Sequence, residues 1–384
     1  MLNVHNVLNV LNVLNAPNVF KNPPIPIIME PNFIQPKKRL EWIDAMRGFT
    51  MLMVVANHVS QTSFGELPKT SAALSLLVLF RMPLFFFVSG FVAYKASFSW
   101  SLPDTGQLLW KKVRIQLLPT LVFLCAFIVI RQTHFVDSFL AAMRSPYKDG
   151  YWFTLVLLYM FICYYALSLL IHRLKHQHLV WVGIWLLSIA AYATAYMPKI
   201  FTYPTAEWMK TSSLIQLVIY FQFFLCGNLA HRYWDRVQRV FDSRWFFPIL
   251  CVVAFVCCAD ILRWHTLRGM WTNLPRTLAM YSTMVVVLMF FRHYEQSFTK
   301  ATIIGRSLQY IGTRTLDVYL LHFILLPVMP FVGEWLNANR PNFVLSTVCS
   351  LTVSAVVVAF CLVVSNILRI SPFYSEHLFG RKGR

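Results

Sequence analysis

The sequence predicts an all-α membrane protein: a bundle of about ten transmembrane helices with both termini in the cytoplasm. Three observations lead there. Hydrophobic residues make up 58% of the 384-residue chain, and the mean hydropathy is +0.57. Charged residues account for only 13%, about half the share usual in soluble domains. The apolar residues also fall into long runs, which is what a bilayer solvent demands of a spanning helix.

A spanning helix needs roughly 20 mainly apolar residues. Ten stretches qualify, at 41–60, 71–95, 113–131, 151–171, 178–197, 212–231, 245–264, 271–291, 314–333 and 343–368. An even number puts both ends of the chain on one side. With those ends inside, the cytoplasmic segments hold roughly twice as many Lys and Arg as the outer ones, as the positive-inside rule asks. Arg144 and Lys148, on the outer loop 132–150, are exceptions. The membrane domain therefore runs over 37–370, between a disordered tail at 1–36 and a basic cytoplasmic tail at 371–384.

The net charge of +19 does not read as nucleic-acid binding, because the basic residues lie between apolar runs rather than on one patch. Basic loops against an anionic leaflet account for it better. The eight cysteines all sit inside apolar runs without metal-site spacing, so they read as small packing residues and no metal is expected. No internal repeat of the inverted-transporter kind stands out.

Ionisable groups inside apolar runs are costly and usually face a bundle interior or a wet cavity. The first span, "EWIDAMRGFTMLMVVANHVS" at 41–60, carries Asp44, Arg47, Asn57 and His58. Arg47 and His58 are eleven residues apart, three turns plus about 20°, so they share one helix face at depths differing by roughly 16 Å. An arginine at the inner end suits an anionic ligand, and a histidine farther along suits proton removal. A snorkelling Arg47 and a His58 bonded to a backbone carbonyl are the plainer alternatives. Asp44 lies one turn from Arg47, at i,i+3, and can hold it.

The second span, "FRMPLFFFVSGFVAYK" at 80–95, carries Arg81; its Pro83 should kink or break the helix, and Ser89-Gly90 should allow close helix approach. At 109–119, "LWKKVRIQLLP" sets Lys111, Lys112 and Arg114 at the start of the third span. Positive-inside charge explains them, and so does a phosphate-rich ligand. Asp317 and His322, in the ninth span, are five apart, about 140° around the helix, and need not share a face.

"IDAMRGFTMLMVVANHV", "MPLFFFVSGF", "KKVRIQLLP" and "GTRTLDVYLLHF" together resemble the acyltransferase-3 family of integral-membrane O-acyltransferases, over about residues 40 to 370. The resemblance implies some ten helices in the plasma membrane (the inner membrane of a bacterium) and a cytoplasmic acyl donor, commonly acetyl-CoA. It implies transfer to a hydroxyl, usually of a sugar, glycan or lipid-linked saccharide. Carried over by position, Arg47 and His58 match the family's Arg/His pair, and Lys111 and Arg114 its basic pair. Arg81 stands where relatives often have His, and the basic element is Lys-Lys-x-Arg rather than an arginine pair.

On that basis His58, Arg47 and Asp44 are the expected catalytic group, with His58 as general base. Lys111, Lys112 and Arg114 are expected on the CoA phosphates. Arg81, Asn57, Asp317 and His322 are expected around the acceptor, where Arg81 or Asn57 can also assist the oxyanion. No Ser or Cys with a partner base is evident, so direct transfer is favoured, and an acyl-histidine intermediate stays open. A polytopic transporter of a small anionic or sugar-like substrate is the alternative.

The segment before residue 37 repeats Asn-Val and Leu-Asn units and lacks the parts of a signal peptide. It suggests that the native start is Met29. N-terminal mass spectrometry of the protein from its own cell checks this; a peptide mapping upstream of Met29 excludes it.

Overall fold

A computed structural model describes residues 40–65, 72–95, 98–195, 207–260, 274–338 and 343–379. The tail at 1–36 and the start at Met29 lie outside the described residues. Among those described, the apolar runs form helices and no strand occurs. In chain order they are α1 (Glu41–His58), α2 (Ala72–Ala93), α3 (Leu102–Lys112), α4 (Leu118–Arg131), α5 (Phe135–Arg144) and α6 (Trp152–Ile171). Then come α7 (Gln177–Ala195), α8 (Glu207–Thr211), α9 (Leu214–Arg232), α10 (Trp234–Phe241), α11 (Phe246–Ala259) and α12 (Leu274–His293). The last are α13 (Ile303–Thr313), α14 (Thr315–Leu325), α15 (Pro330–Ala338), α16 (Phe343–Leu368) and α17 (Pro372–His377).

Each of the ten expected stretches contains helix. Among the described residues six helices are long and apolar enough to cross a membrane, or up to eight if two bent pairs each count as one span. The bent pairs are α10 with α11, at 80°, and α14 with α15, at 87°. The second of these was expected as one straight span. The chain breaks there at Leu326-Pro327, because the residue before a proline avoids helical backbone and Leu326 is extended, at ψ 124°. Residues on the outer faces, such as Val129, Leu187, Phe255 and Phe360, are exposed apolar side chains, the surface a lipid-bathed bundle presents.

Two local expectations are corrected. Helix α2 runs through Pro83 without interruption; neighbouring helices in a bundle tolerate the lost bond. The third span starts earlier than expected, because α3 and α4 join through a π-helical turn, Val113–Leu117, into one helix over Leu102–Arg131. The polar first turns hide that start in the sequence. Ser101 caps it by accepting from the Asp104 amide, and Pro103 sits in the first turn. Lys111 and Lys112 thus lie within a continuous helix.

Two close helix pairs frame the interior. At α1 against α13, Gly48 and Gly312 let the backbones meet: a Cβ on Gly48 would lie 2.0 Å from the Leu308 carbonyl oxygen, and one on Gly312 would lie 1.8 Å from that of Asp44. Gly90 of α2 and Gly227 of α9 do the same across their pair. These are small-residue crossings of the membrane kind.

Asp317 on α14 is buried, and its carboxylate takes Nη2 and Nε of Arg369 at 2.7 and 3.0 Å and the Ser365 hydroxyl at 2.6 Å. This clamp ties α14 to the end of α16. Breaking a buried pair strands a charge, whereas replacing both partners with apolar groups is often neutral. Arg369→Met should therefore cost about 3–5 kcal/mol, and adding Asp317→Leu should recover most of it. Unfolding in detergent checks this; equal stability of the single and double variants contradicts it.

Candidate functional site

Helix α2 returns antiparallel to α1: Phe49 stacks on Phe80, at 6.5 Å between ring centroids, while Met53 and Ala56 cluster with Leu77. Between α1, α2, α3, the π turn, α6 and α14 lies a cavity of about 490 Å³. Arg47, Met51, Val54 and His58 form the α1 wall, the i, i+4, i+7, i+11 face expected of one helical stripe. Arg81, Phe85, Val88 and Val92 form the α2 wall, with Lys95 two residues past its end.

The two ends of this cavity differ. At one end Lys95 and Lys111 are exposed, with Arg47 and Lys112 behind them. The Lys112 Nζ sits 4.0 Å over the Phe161 ring, a cation–π contact that holds the ammonium against an apolar wall. Arg47 donates to the Thr315 hydroxyl at 3.2 Å, and its Nη1 is 3.5 Å from the Asp44 carboxylate. The other end holds His58 and Arg81, with Gly150, Trp152, Phe153 and Tyr319. Apolar side chains, among them Met51, Val54, Val88 and Leu157, line the walls between. The lining carries five cations, Arg47, Arg81, Lys95, Lys111 and Lys112, and no Asp or Glu.

His58 is held by rings. Its imidazole stands edge-on to Phe323 at 4.8 Å and tilted against His322 at 5.3 Å. Phe323 in turn occupies space that only a glycine at 150 leaves open, since a Cβ there would lie 2.0 Å from the ring. Gly150 has φ +98°, a backbone that favours glycine for a second reason. The phenol of Tyr319 donates to the Gly150 carbonyl at 2.9 Å and accepts from the Phe153 amide at 3.2 Å. It thereby satisfies an orphan donor at the start of α6.

The remaining expected residues lie apart from the lining. Asn57 is buried and donates to Gln61 at 3.1 Å. Arg114 is paired at 3.0 Å with Glu376 of α17, on the surface. Asp317 faces Arg369, as above. His322 lies behind the wall, against His58. The 140° between Asp317 and His322 thus sends them to different neighbours. Sequence reading misses Lys95, Thr315 and Tyr319. A lysine after a span is ordinary positive-inside charge, and nothing local marks the other two. Among the described residues no three His, Cys, Asp or Glu come together as a metal site would need.

No curated protein and no solved structure matches the chain. The family model described as "Acyltransferase domain", acyltransferase type 3, matches residues 40–364. That match takes in α1 through most of α16 and with them every wall of the cavity. The chain therefore belongs to the acyltransferase-3 family, as a multi-pass membrane acyltransferase.

Proposed function

We propose that this protein moves an acyl group, in the first instance acetyl, from acyl-CoA to a hydroxyl of a sugar, glycan or lipid-linked saccharide. The observation that carries this reading is the cavity with five cations, no acid and a histidine at its far end. Such a lining favours a ligand that brings several negative charges at one end. A CoA ester brings a 3′-phosphate and a diphosphate at one end and a neutral thioester at the other. Lys95, Lys111, Lys112 and Arg47 receive the phosphates at the basic end, with Asp44 steadying Arg47. Apolar walls take the pantetheine arm.

The thioester then lies beside His58. His58 takes the proton of the acceptor hydroxyl as its oxygen attacks the thioester carbonyl. The new C–O bond forms, the C–S bond breaks, and the CoA thiolate leaves and recovers a proton from the imidazolium. Arg81 lies close enough to His58 to feel its charge and stabilises the developing oxyanion. The protein sits in the plasma membrane with ten spans and both termini cytoplasmic: the six long apolar helices, the two bent pairs, α1 and α7. That topology puts the basic end of the cavity inside, where acyl-CoA is made.

Labelled acetyl-CoA, incubated with membranes that carry the protein, should give a labelled product. His58→Ala should lower transfer by about 1,000-fold or more while the protein still folds; near-normal transfer ends the general-base assignment. Arg47→Ala and Lys95→Ala should each raise the KM for acetyl-CoA about tenfold with a smaller change for acetyl-pantetheine, which lacks the phosphates. An equal effect on both donors contradicts the phosphate assignment.

A further inference from the structure

His322 lies outside the cavity lining, yet it is fully buried and its ring is 5.3 Å from that of His58. Its Nδ1 is 2.8 Å from the Tyr319 carbonyl oxygen and 3.1 Å from that of Val318. A carbonyl only accepts, so Nδ1 carries the hydrogen and the tautomer is fixed. In the neutral ring this leaves Nε2 with a lone pair. That atom is buried and has no hydrogen-bond partner, a condition that needs explaining in a packed interior. The helix's own carbonyls cannot supply the partner, because a lone pair needs a donor and they only accept. Around His322 stand the His58 ring, the Phe323 ring against both histidines, the Tyr319 ring at 5.9 Å, and Arg81, whose charge reaches both histidines. Of these, Phe323 has no donor, the Tyr319 phenol already donates to the Gly150 carbonyl, and Arg81, whose buried Nε also lacks a partner, makes no ring contact with His322 as His58 does.

We propose that His322 is the positioning residue for His58: its Nε2 accepts the N–H of the His58 nitrogen that does not face the substrate. This rests on the general-base reading above. The bond fixes the His58 tautomer, so that the other ring nitrogen meets the acceptor hydroxyl with its lone pair. When His58 takes the hydroxyl proton, the N–H toward His322 stays in place and the charge of the imidazolium is shared with an acceptor that was waiting for it. No proton passes to His322, and the thiolate takes its proton back from the substrate side of His58. The arrangement does for a base on a membrane helix what a carboxylate does behind the histidine of a serine hydrolase. The rings close from contact to hydrogen bond when the donor is bound, as hydrogen bonds in a catalytic group commonly tighten in the loaded site. Two tyrosines hold the frame: Tyr319 bonds to Gly150 and Phe153, and Tyr151 donates to the Leu320 carbonyl at 3.0 Å. His322 is thereby kept on a helix that cannot slide along α6.

The test compares His322→Leu, which removes the acceptor, with His322→Gln, whose amide oxygen can replace it. Each is made in the full chain, purified in detergent and assayed with radiolabelled acetyl-CoA and a membrane extract as acceptor source. The leucine variant should lose about 100-fold in kcat, the scale of an orienting partner, with the KM for acetyl-CoA unchanged. The glutamine variant should recover most of that loss. A leucine variant that keeps kcat within about threefold overturns the positioning role, as does a glutamine variant no better than leucine at equal melting temperature. If the leucine variant does not fold, His322→Phe takes its place in the comparison. His58→Ala runs alongside. Transfer surviving in that variant defeats the general-base reading itself, whereas an inactive His58→Ala beside an active His322→Leu defeats only the positioning role.

Discussion

An ionisable side chain on a helix whose other faces are apolar needs a partner or a wet cavity, and most of this interior follows from meeting that need. Asp317 and Arg369 answer it by pairing, and so lock α14 to α16. Arg47, Arg81, His58 and Lys112 answer it by facing one cavity. The helices that carry them can crowd around that cavity because glycines at 48, 312, 90 and 227 let backbones touch on faces turned away from it. Packing and polarity therefore act together: the close crossings turn the charged faces inward, and the charges keep those faces from lipid. Cations so gathered repel one another, and a bound anion relieves that repulsion.

Helix α14 is where these constraints meet. It is short, and it ends at a bend where several carbonyls have no helical partner. Arg131 of α4 donates to the carbonyls of Ile324 and Leu326 and takes up part of that deficit. Tyr319 and Tyr151 stitch the same helix to the start of α6. The preceding turn is itself held, since the buried Lys148 ammonium donates to the carbonyls of Met143, Ser145 and Thr211. Lys148 and Asp149 both have positive φ, 47° and 49°, a backbone that non-glycine residues adopt only where surrounding bonds enforce it. The result is a rigid frame around Phe323 and His322, the two rings that touch His58.

Much of this is legible in the sequence. Apolar run length gave the helices, and helical phase placed Arg47 and His58 on one face, which the cavity wall then shares. The 140° between Asp317 and His322 separated their partners. What stayed hidden has a common cause: it depends on contacts between segments far apart in the chain. Lys95 lines the cavity only because α2 returns beside α1, and Arg114 pairs with Glu376 of α17 at the surface while its neighbours Ile115 and Gln116 line the cavity. The bend after α14 was written in Leu326-Pro327, yet composition alone read through it. The early start of α3 escaped because its first turns are polar enough to look like a loop.

Two π-helical turns add a further constraint on what the cavity holds. One, Val59–Ser63, follows His58 directly; the other, Val113–Leu117, follows Lys112 directly. The first ends α1 and the second re-aims the helix beyond it, so that His58 and Lys112 each stand at the last regular position. Arg47 and His58 remain on a regular stretch between, separated by roughly 16 Å of rise. A compact donor cannot reach from the cations at one end to the imidazole at the other. Under the proposed function the donor is therefore elongated, anionic at its head and neutral at its reacting tail, with an uncharged arm between them that the apolar walls accept. Acetyl phosphate has the anionic head and the neutral acyl tail but no arm to span the distance, and free acetate has neither the neutral tail nor the arm, whereas a CoA ester meets all three.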